Sequence, residues 1–242
     1  MSGHSKWSQI KHKKGITDAK KGRLFSKIVR EILVAARMGG AQIQANPRLR
    51  SAIERGHAIG LPKENIERAI AKASGSTEGA ELQEFLYEAT VPGGVSILIE
   101  GITDNKNRSF SEIRHLLAER GAKMADQGSV LWNFDKVGTI EIAEEDNHTK
   151  TKDEIELIII ESGASDFTFV DRIWIVETSF TEAEKVRRAL EANGITIKEI
   201  GHDYKPKNAL ILSPEKKDSL ESFLDALTDH EDVQEVYTNL SS

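Results

Sequence analysis

The order of apolar and polar positions along the chain changes character near residue 75. Before that point the apolar residues recur at intervals of three and four, which is typical of amphipathic helices. After it, many apolar residues alternate with polar ones, which is typical of half-buried strands. The sequence therefore predicts a helical section followed by a longer section in which strands and helices are mixed.

Three helices are predicted in the first section. They run over residues 19–38, 47–59 and 62–73, with Asn46 as the N-cap of the second and Gly39 and Gly40 ending the first. Because the loops between them are short, we expect a three-helix bundle. A helical wheel of the first helix puts Phe25, Ile28, Ile32 and Ala36 on one face, and it puts the cations on the opposite face: Lys20, Arg23, Lys27, Arg30 and Arg37.

A small, polar stretch at residues 74–79 predicts a hinge before the mixed section. The section begins with a hairpin that turns at residues 92–94. Residues 137–202 then show the order β-α-β-β-α-β, which is typical of a ferredoxin-like unit. Its last strand is predicted at 195–200, and residues 179–182 are a candidate capping box for its second helix.

The residues on either side of this unit predict a second set of elements in the same order. The strands fall at 95–103, 129–134, 209–212 and 233–237, and the helices at 107–120 and 214–227. The fold class is therefore multi-domain α and α+β, an N-terminal three-helix bundle plus two ferredoxin-like domains, one inserted in the other. The predicted boundaries are 1–75 for the basic helical domain with a flexible amino-terminal arm, 80–135 with 206–240 for the discontinuous α+β domain, and 136–205 for the inserted domain.

The net charge of −6 hides a division along the chain. Residues 1–75 hold 16 Lys and Arg against 5 Asp and Glu, a net charge of +11, whereas the remainder holds 17 against 34, a net charge of −17. A basic surface gains free energy by displacing counterions from a polyanion, so the asymmetry indicates a nucleic-acid partner. The alternatives are a solvated basic face and docking of the basic segment on the acidic one.

The candidate phosphate contacts follow the arm and the first helix. The cationic face would extend over about 25 Å, long enough to span several phosphates. Trp7 has two open interpretations, stacking on a base or anchoring the arm, and phosphate contacts alone do not select DNA or RNA. Reversing the charge of Arg23, Lys27 and Arg30 is expected to abolish binding and leave the fold intact. The full candidate set is Lys6, Trp7, Lys11, Lys13, Lys14, Lys20, Lys21, Arg23, Lys27, Arg30 and Arg37.

Other classes of function have little support in the sequence. The chain has no cysteine, which excludes thiolate metal sites and suits a reducing cytosol. Its apolar runs are too short for a membrane span, and no phosphate-binding glycine loop is present. The acidic run at residues 229–232 suits a solvated turn better than a metal site. We therefore expect a cytoplasmic protein that is not an enzyme, with no cofactor, no metal, no membrane partner and no small-molecule substrate.

Several motifs together resemble one protein family. They are the amino-terminal Met1-Ser2-Gly3-His4-Ser5-Lys6-Trp7, then Leu61-Pro62-Lys63-Glu64-Asn65, Pro92-Gly93-Gly94-Val95, Thr103-Asp104-Asn105-Lys106-Asn107-Arg108 and Asp232-Val233-Gln234-Glu235-Val236-Tyr237. In this order they resemble the YebC/PmpR family over the whole chain. The resemblance implies three domains, a helical one and two α+β domains with one inserted in the other.

The resemblance also implies a role in gene expression. Members are described as cytoplasmic DNA-binding transcriptional regulators, and relatives that include a mitochondrial branch act on translation at the ribosome. The expected function is therefore a DNA-binding transcriptional regulator, with a factor bound to ribosomal RNA as the first alternative and an electrostatically self-docking protein as the second. The sequence departs from the family pattern at Ile59-Gly60-Leu61 and at residues 122–126, where a glycine-rich loop is usual.

Overall fold

A computed structural model describes residues 18–75 and 81–241. The described residues form seven α-helices and two four-stranded antiparallel sheets, so the protein is a mixed α+β molecule. The chain divides into two compact units. The inserted unit comprises Asp135–Lys205, and the main unit comprises the described residues up to Phe134 together with those from Pro206 to Ser241.

The main unit begins with three helices, α1 (Asp18–Gly39), α2 (Pro47–Ala58) and α3 (Lys63–Gly75). These elements confirm the three predicted helices. Asn46 caps α2, since its side-chain oxygen accepts a hydrogen bond from the N–H of Leu49 at 3.0 Å. A shared apolar core joins the helices, and it includes Ile28, Ile32, Leu49, Ala52, Ile53, Ile66 and Ala69.

The first sheet contains β1 (Gln83–Val91), β2 (Val95–Thr103), β3 (Lys123–Ala125) and β8 (Val233–Thr238), in the order β3-β1-β2-β8. Helices α4 (Lys106–Ala118) and α7 (Pro214–Asp229) belong to the same unit. They share a core with the sheet that includes Phe85, Ile97, Ile99, Ile113, Leu117, Phe223 and Leu227. Gly101 lies where β2 shifts register against β8, and a β-carbon there would collide with Phe85 and the carbonyl oxygen of Asp232. Only glycine therefore allows Asp232 to approach β2 so closely.

Two strands predicted for this sheet are wrong. Residues 129–133 form a turn and a short 3-10 helix (Leu131–Asn133), because a buried side chain, Glu88, binds their backbone N–H groups. Residues 209–212 form no strand and contribute one isolated bridge, between Leu210 and Leu240. The sheet contains β1 instead, which lies between β3 and β2. Short apolar runs identify buried segments, but they do not by themselves separate strands from turns.

The inserted unit contains β4 (Phe134–Ala143), α5 (Lys152–Glu161), β5 (Asp166–Val170), β6 (Ile173–Ser179), α6 (Ala183–Ala192) and β7 (Glu199–Pro206). Its sheet has the order β5-β6-β4-β7, and its core includes Ile140, Ile142, Ile159, Trp174, Val176 and Leu190.

Two local predictions in the inserted unit are corrected. The last strand begins at Glu199 instead of 195, and Ile195 is buried in the core before it. The N-cap of α6 is Glu182 and has no side-chain capping bond; the capping box lies at α5, where Thr151 and Glu154 bond reciprocally. Among the described residues, no helix is both long enough and apolar enough to cross a membrane.

Candidate nucleic-acid interface

The eleven candidate phosphate contacts separate into three groups. Lys6, Trp7, Lys11, Lys13 and Lys14 lie outside the described residues. The other six belong to α1, and the structure gives them different surroundings. Lys20 and Lys21 are exposed in the first turns of the helix, Arg37 is half-buried in its last turn, and Arg23, Lys27 and Arg30 face the end of α7 and the turn after it.

Lys20 and Lys21 form the accessible cationic end of α1. The Lys21 ammonium lies 5.6 Å from the centre of the Phe25 ring, which positions the side chain over the helix surface. Two exposed ammonium groups at adjacent positions favour an anion at this place.

Arg23, Lys27 and Arg30 do not form the open cationic face that was predicted, because all three contact residues 228–232, although the Arg23 side chain stays 41% exposed. Arg23 pairs with Asp229 at 3.3 Å, and Arg30 pairs with Asp232 at 2.5 Å. Lys27 is only 6% exposed and donates a hydrogen bond to the backbone oxygen of Thr228. A helical wheel identifies the face opposite the apolar stripe, but it carries no information about a contact about 200 residues later in the chain.

Asp232 is the centre of this contact, with its side chain fully buried. Arg30 and Arg108 reach the carboxylate at 2.5 and 3.0 Å, and the hydroxyls of Ser109 and Thr103 donate to it at 2.7 and 3.1 Å. Burial alone would raise the pKa of Asp232. The hydrogen bonds from Ser109 and Arg108 and the charge of Arg30 more than offset burial and hold that pKa below its ordinary value.

The Lys27 ammonium pays a desolvation cost in the same region. Burial lowers its pKa from 10.5 to about 8, although the negative charges of Glu235 and Asp229 act in the opposite direction. Its hydrogen bond to Thr228 satisfies one of the carbonyl groups that the end of α7 leaves without a helical partner. Lys27 is thus a structural residue that joins α1 to α7.

Glu112, His230 and Asp232 place potential metal ligands within 4.8 Å of one another. Both oxygens of Asp232 already accept hydrogen bonds from guanidinium groups, and His230 contacts Glu112 at 3.0 Å. Two arginines beside the carboxylate would repel a divalent cation. The arrangement suits an internal ionic contact better than a metal centre.

Apart from Arg30, the residues that hold Asp232 were absent from the predicted site. The signal lay in two of the family motifs, residues 103–108 and 232–237, which contain Thr103, Arg108 and Asp232. Periodicity within each segment does not show that they meet. Their contact becomes visible only when β2, α4 and β8 are placed in one unit.

The exposed surfaces of α2 and α3 carry both signs of charge. On α3, Lys63 pairs with Glu67 at 3.5 Å, and on α2, Arg48 pairs with Glu84 of β1. Arg55 pairs with Glu31 of α1. Mixed charge of this kind suits a solvated face, so Lys20 and Lys21 remain the clearest candidates for phosphate contact among the described residues.

Comparison with known families gives two matches that together span nearly the whole chain. Residues 5–76 match the family model described as the TACO1/YebC protein N-terminal domain. Residues 82–240 match the model described as the TACO1/YebC second and third domain.

Individual relatives agree in length as well as in sequence. A "probable transcriptional regulatory protein" of Thermoanaerobacter pseudethanolicus is 45% identical over 240 residues, covering 99% of this chain and 97% of the relative. A protein of Thermotoga maritima with the same description is 44% identical over 239 residues, covering 99% of this chain and 93% of the relative. The crystal structure of a conserved hypothetical protein from Aquifex aeolicus superposes with a TM-score of 0.85 and 38% identity, covering 97% of this chain and 96% of the other.

Proposed function

We propose that this chain, which belongs to the TACO1/YebC family, is a nucleic-acid-binding regulator of gene expression and that DNA is its partner. Relatives described as probable transcriptional regulatory proteins support a regulatory role. The observation that carries the proposal is the exposed pair Lys20 and Lys21 at the start of α1, directly after an amino-terminal segment rich in lysine. We expect these two lysines to act with Lys6, Lys11, Lys13 and Lys14 on the phosphate backbone.

The pairing of Arg23, Lys27 and Arg30 within the main unit narrows this proposal. We therefore expect the phosphate contacts at the amino-terminal end of α1 and in the lysine-rich sequence before it, instead of along the whole length of the helix. A site of this size neutralises about six phosphates if all six lysines contact the backbone. It supplies affinity without reading base edges.

Binding to promoter fragments tests the proposal for DNA. Footprinting at physiological salt should show protection on the target and a Kd below that for an unrelated duplex of equal length. An affinity that does not depend on sequence would remove the claim of specific DNA recognition.

A ribosomal RNA partner is the second candidate, and the mixed charge on α2 and α3 favours it. In the described residues these helices present ion pairs where a major-groove recognition helix would present groups that read bases. Backbone contacts suit a folded RNA as well as a duplex. Sucrose-gradient sedimentation after crosslinking separates the two candidates, because a ribosome-bound factor moves with ribosomal fractions and a DNA-bound regulator stays outside them.

The third candidate, electrostatic self-docking that opens and closes as a switch, also has an observation in its favour. Three cations of α1 contact residues 228–232 within the main unit. The ion pair of Arg30 with the fully buried Asp232 is screened by salt far less than an exposed pair would be. We therefore expect X-ray scattering to give the same radius of gyration for the protein at low and high salt, and this result would mean that the contact stabilises the fold and is not a switch. A larger radius of gyration at high salt would support a switch.

The proposal contains no catalytic step, cofactor or metal. If turnover were measured and were lost on mutating one acidic cluster, the hypothesis that the protein is an enzyme would be supported. A regulator of gene expression works where DNA and ribosomes are, which supports the cytoplasmic location expected from the sequence.

The β-α-β-β-α-β order of the inserted unit, with the strand order β5-β6-β4-β7, supports a ferredoxin-like arrangement there.

A further inference from the structure

Trp132 is the most exposed aromatic side chain among the described residues, with 64% of its surface accessible. It lies in the 3-10 helix Leu131–Asn133 of the main unit, and its neighbours Val130, Asn133 and Phe134 are buried. Tryptophan is usually well buried in a folded protein. Packing of the core therefore does not account for an indole that faces solvent between buried neighbours.

The segment that presents Trp132 is held rigidly by Glu88 of β1. This carboxylate is 3% exposed and accepts hydrogen bonds from the backbone N–H groups of Val130 at 2.6 Å and Leu131 at 2.8 Å. It also accepts one from the N–H of Gly128. A side chain presented by a fixed backbone loses little conformational freedom on binding, so its contacts are retained as affinity.

The N–H group of the indole already has a hydrogen-bond partner. Its N–H donates a hydrogen bond to the backbone oxygen of Ser129 at 2.8 Å, which also sets the orientation of the ring. What the ring offers to a partner is its flat apolar surface. A flat π system is the ligand that such a surface accepts best.

Lys207 places a positive charge at the backbone of the same turn. Its side-chain ammonium donates a hydrogen bond to the backbone oxygen of Trp132 at 3.0 Å. Its backbone N–H donates a hydrogen bond to the backbone oxygen of Asn133 at 2.8 Å. The side chain of Asn208 adds a bond to the side chain of Asn133 at 3.0 Å. The lysine is therefore tied to the same turn as the tryptophan.

We infer that Trp132 and Lys207 form a stacking site for an unpaired nucleotide, with the base on the indole and the phosphate near the ammonium. An aromatic side chain with a neighbouring cation is the arrangement that single-stranded nucleic acids bind. The inference rests on the proposed function and deepens it. A base inside a duplex is stacked on its neighbours, so this site selects single-stranded segments or RNA loops over continuous duplex.

Paired binding measurements on the full chain test the inference. The probes are a fluorescein-labelled 12-nucleotide RNA without self-complementarity and a 12-base-pair DNA duplex, measured by fluorescence anisotropy at the same salt concentration. We expect Trp132→Leu to weaken RNA binding about 5- to 100-fold and to leave duplex binding unchanged. Trp132→Phe should retain part of the affinity because it keeps an aromatic face.

Tryptophan fluorescence gives a second readout that a merely structural role would not change. In a Trp7→Phe background, whose own RNA affinity is measured first by anisotropy because Trp7 is a candidate contact, the remaining tryptophans are Trp132 and Trp174, and Trp174 is fully buried. The RNA should then quench the emission along the same curve as the anisotropy. Adding Trp132→Leu in that background should remove the quenching.

The outcomes separate this inference from the proposed function. Loss of binding to both probes on Lys20→Gln with Lys21→Gln supports the proposed function alone. Unchanged RNA affinity in Trp132→Leu, with duplex binding intact, overturns the stacking site and leaves the proposed function standing, whereas no binding to either probe by the wild-type chain overturns both. If Trp132→Leu instead converts a dimer into a monomer in sedimentation, the surface is a protein contact and the stacking site is wrong.

Discussion

The lysines of α1 lie in two different environments. Lys20 and Lys21 are exposed and available to a polyanion, whereas Lys27, less than two turns further along the helix, is buried against the end of α7. Arg23 and Arg30 are engaged with Asp229 and Asp232. Charge reversal at these three positions therefore places negative charge beside carboxylates, and we expect it to destabilise the main unit instead of leaving the fold intact.

The buried carboxylate of Asp232 gives the first prediction. Asp232→Asn leaves Arg30 and Arg108 close together without the charge that neutralises them, and we expect it to lower the free energy of unfolding by about 3–5 kcal/mol. Urea denaturation at pH 7 measures the change. The control is Glu231→Gln, because Glu231 contacts the same arginines at 3.8 Å but is 65% exposed, and it should cost less than about 1 kcal/mol.

The pH dependence of stability tests the same carboxylate. Since the pKa of Asp232 is lower in the folded state than its ordinary 3.8, its contribution is fully present above pH 3.8 and is lost as pH falls through the folded pKa. Wild type should lose this contribution on acidification below pH 3.8, and Asp232→Asn should lack it. Parallel acid curves for the two proteins would contradict the described role of Asp232.

Lys27 gives a prediction at alkaline pH. Its folded pKa of about 8 lies below the unfolded value near 10.5, so the folded state loses the proton first and this residue's contribution to stability grows as pH rises between those values. The difference in unfolding free energy between wild type and Lys27→Met should therefore increase by up to about 3 kcal/mol from pH 8 to 10.5. A difference that stays constant over this range would show that Lys27 is not desolvated.

At the scale of elements, the loop of residues 128–131 depends on one acid. Glu88→Gln keeps the shape of the side chain but removes the charge and one of the two acceptor oxygens that bind three N–H groups. We expect a loss of about 1–3 kcal/mol in unfolding free energy and faster hydrogen exchange at Gly128, Val130 and Leu131.

A matched control lies on the same strand. Glu84 lies on the same face of β1, four residues earlier, and pairs with Arg48 at a surface where its side chain is 43% exposed. Glu84→Gln should change stability by less than about 1 kcal/mol and leave the exchange rates of the loop unchanged. Equal effects of the two substitutions would mean that Glu88 does not organise the loop.

The helices were predictable from the sequence because their determinants are local. The apolar spacing of α1 and the cap at Asn46 act within one or two turns, and the structure places both as expected. The turn at residues 129–133 was not predictable in this way, since it forms through Glu88, about 40 residues earlier. The same holds for Leu210, whose single bridge partner is Leu240.

At the scale of the whole molecule, composition and motifs predicted the mixed α+β class and the family, and the family models match residues 5–76 and 82–240. The candidate site was predicted only in part. The charge division along the chain, +11 against −17, indicated a polyanion partner. It could not show that Arg23, Lys27 and Arg30 face residues 228–232, because attraction between two segments of one chain leaves the same signature in the sequence as attraction to a phosphate backbone.

The measurement that tests the central claim most directly is the salt dependence of duplex DNA binding by two matched double variants. Lys20→Gln with Lys21→Gln removes two charges from the proposed interface, and Lys185→Gln with Arg188→Gln removes two from exposed positions on α6 of the inserted unit. The interface variant should reduce the slope of log K against log salt by about 1.8, and the control should leave it unchanged. Equal slopes for the wild type and the interface variant would contradict the assignment of the phosphate contacts to the start of α1.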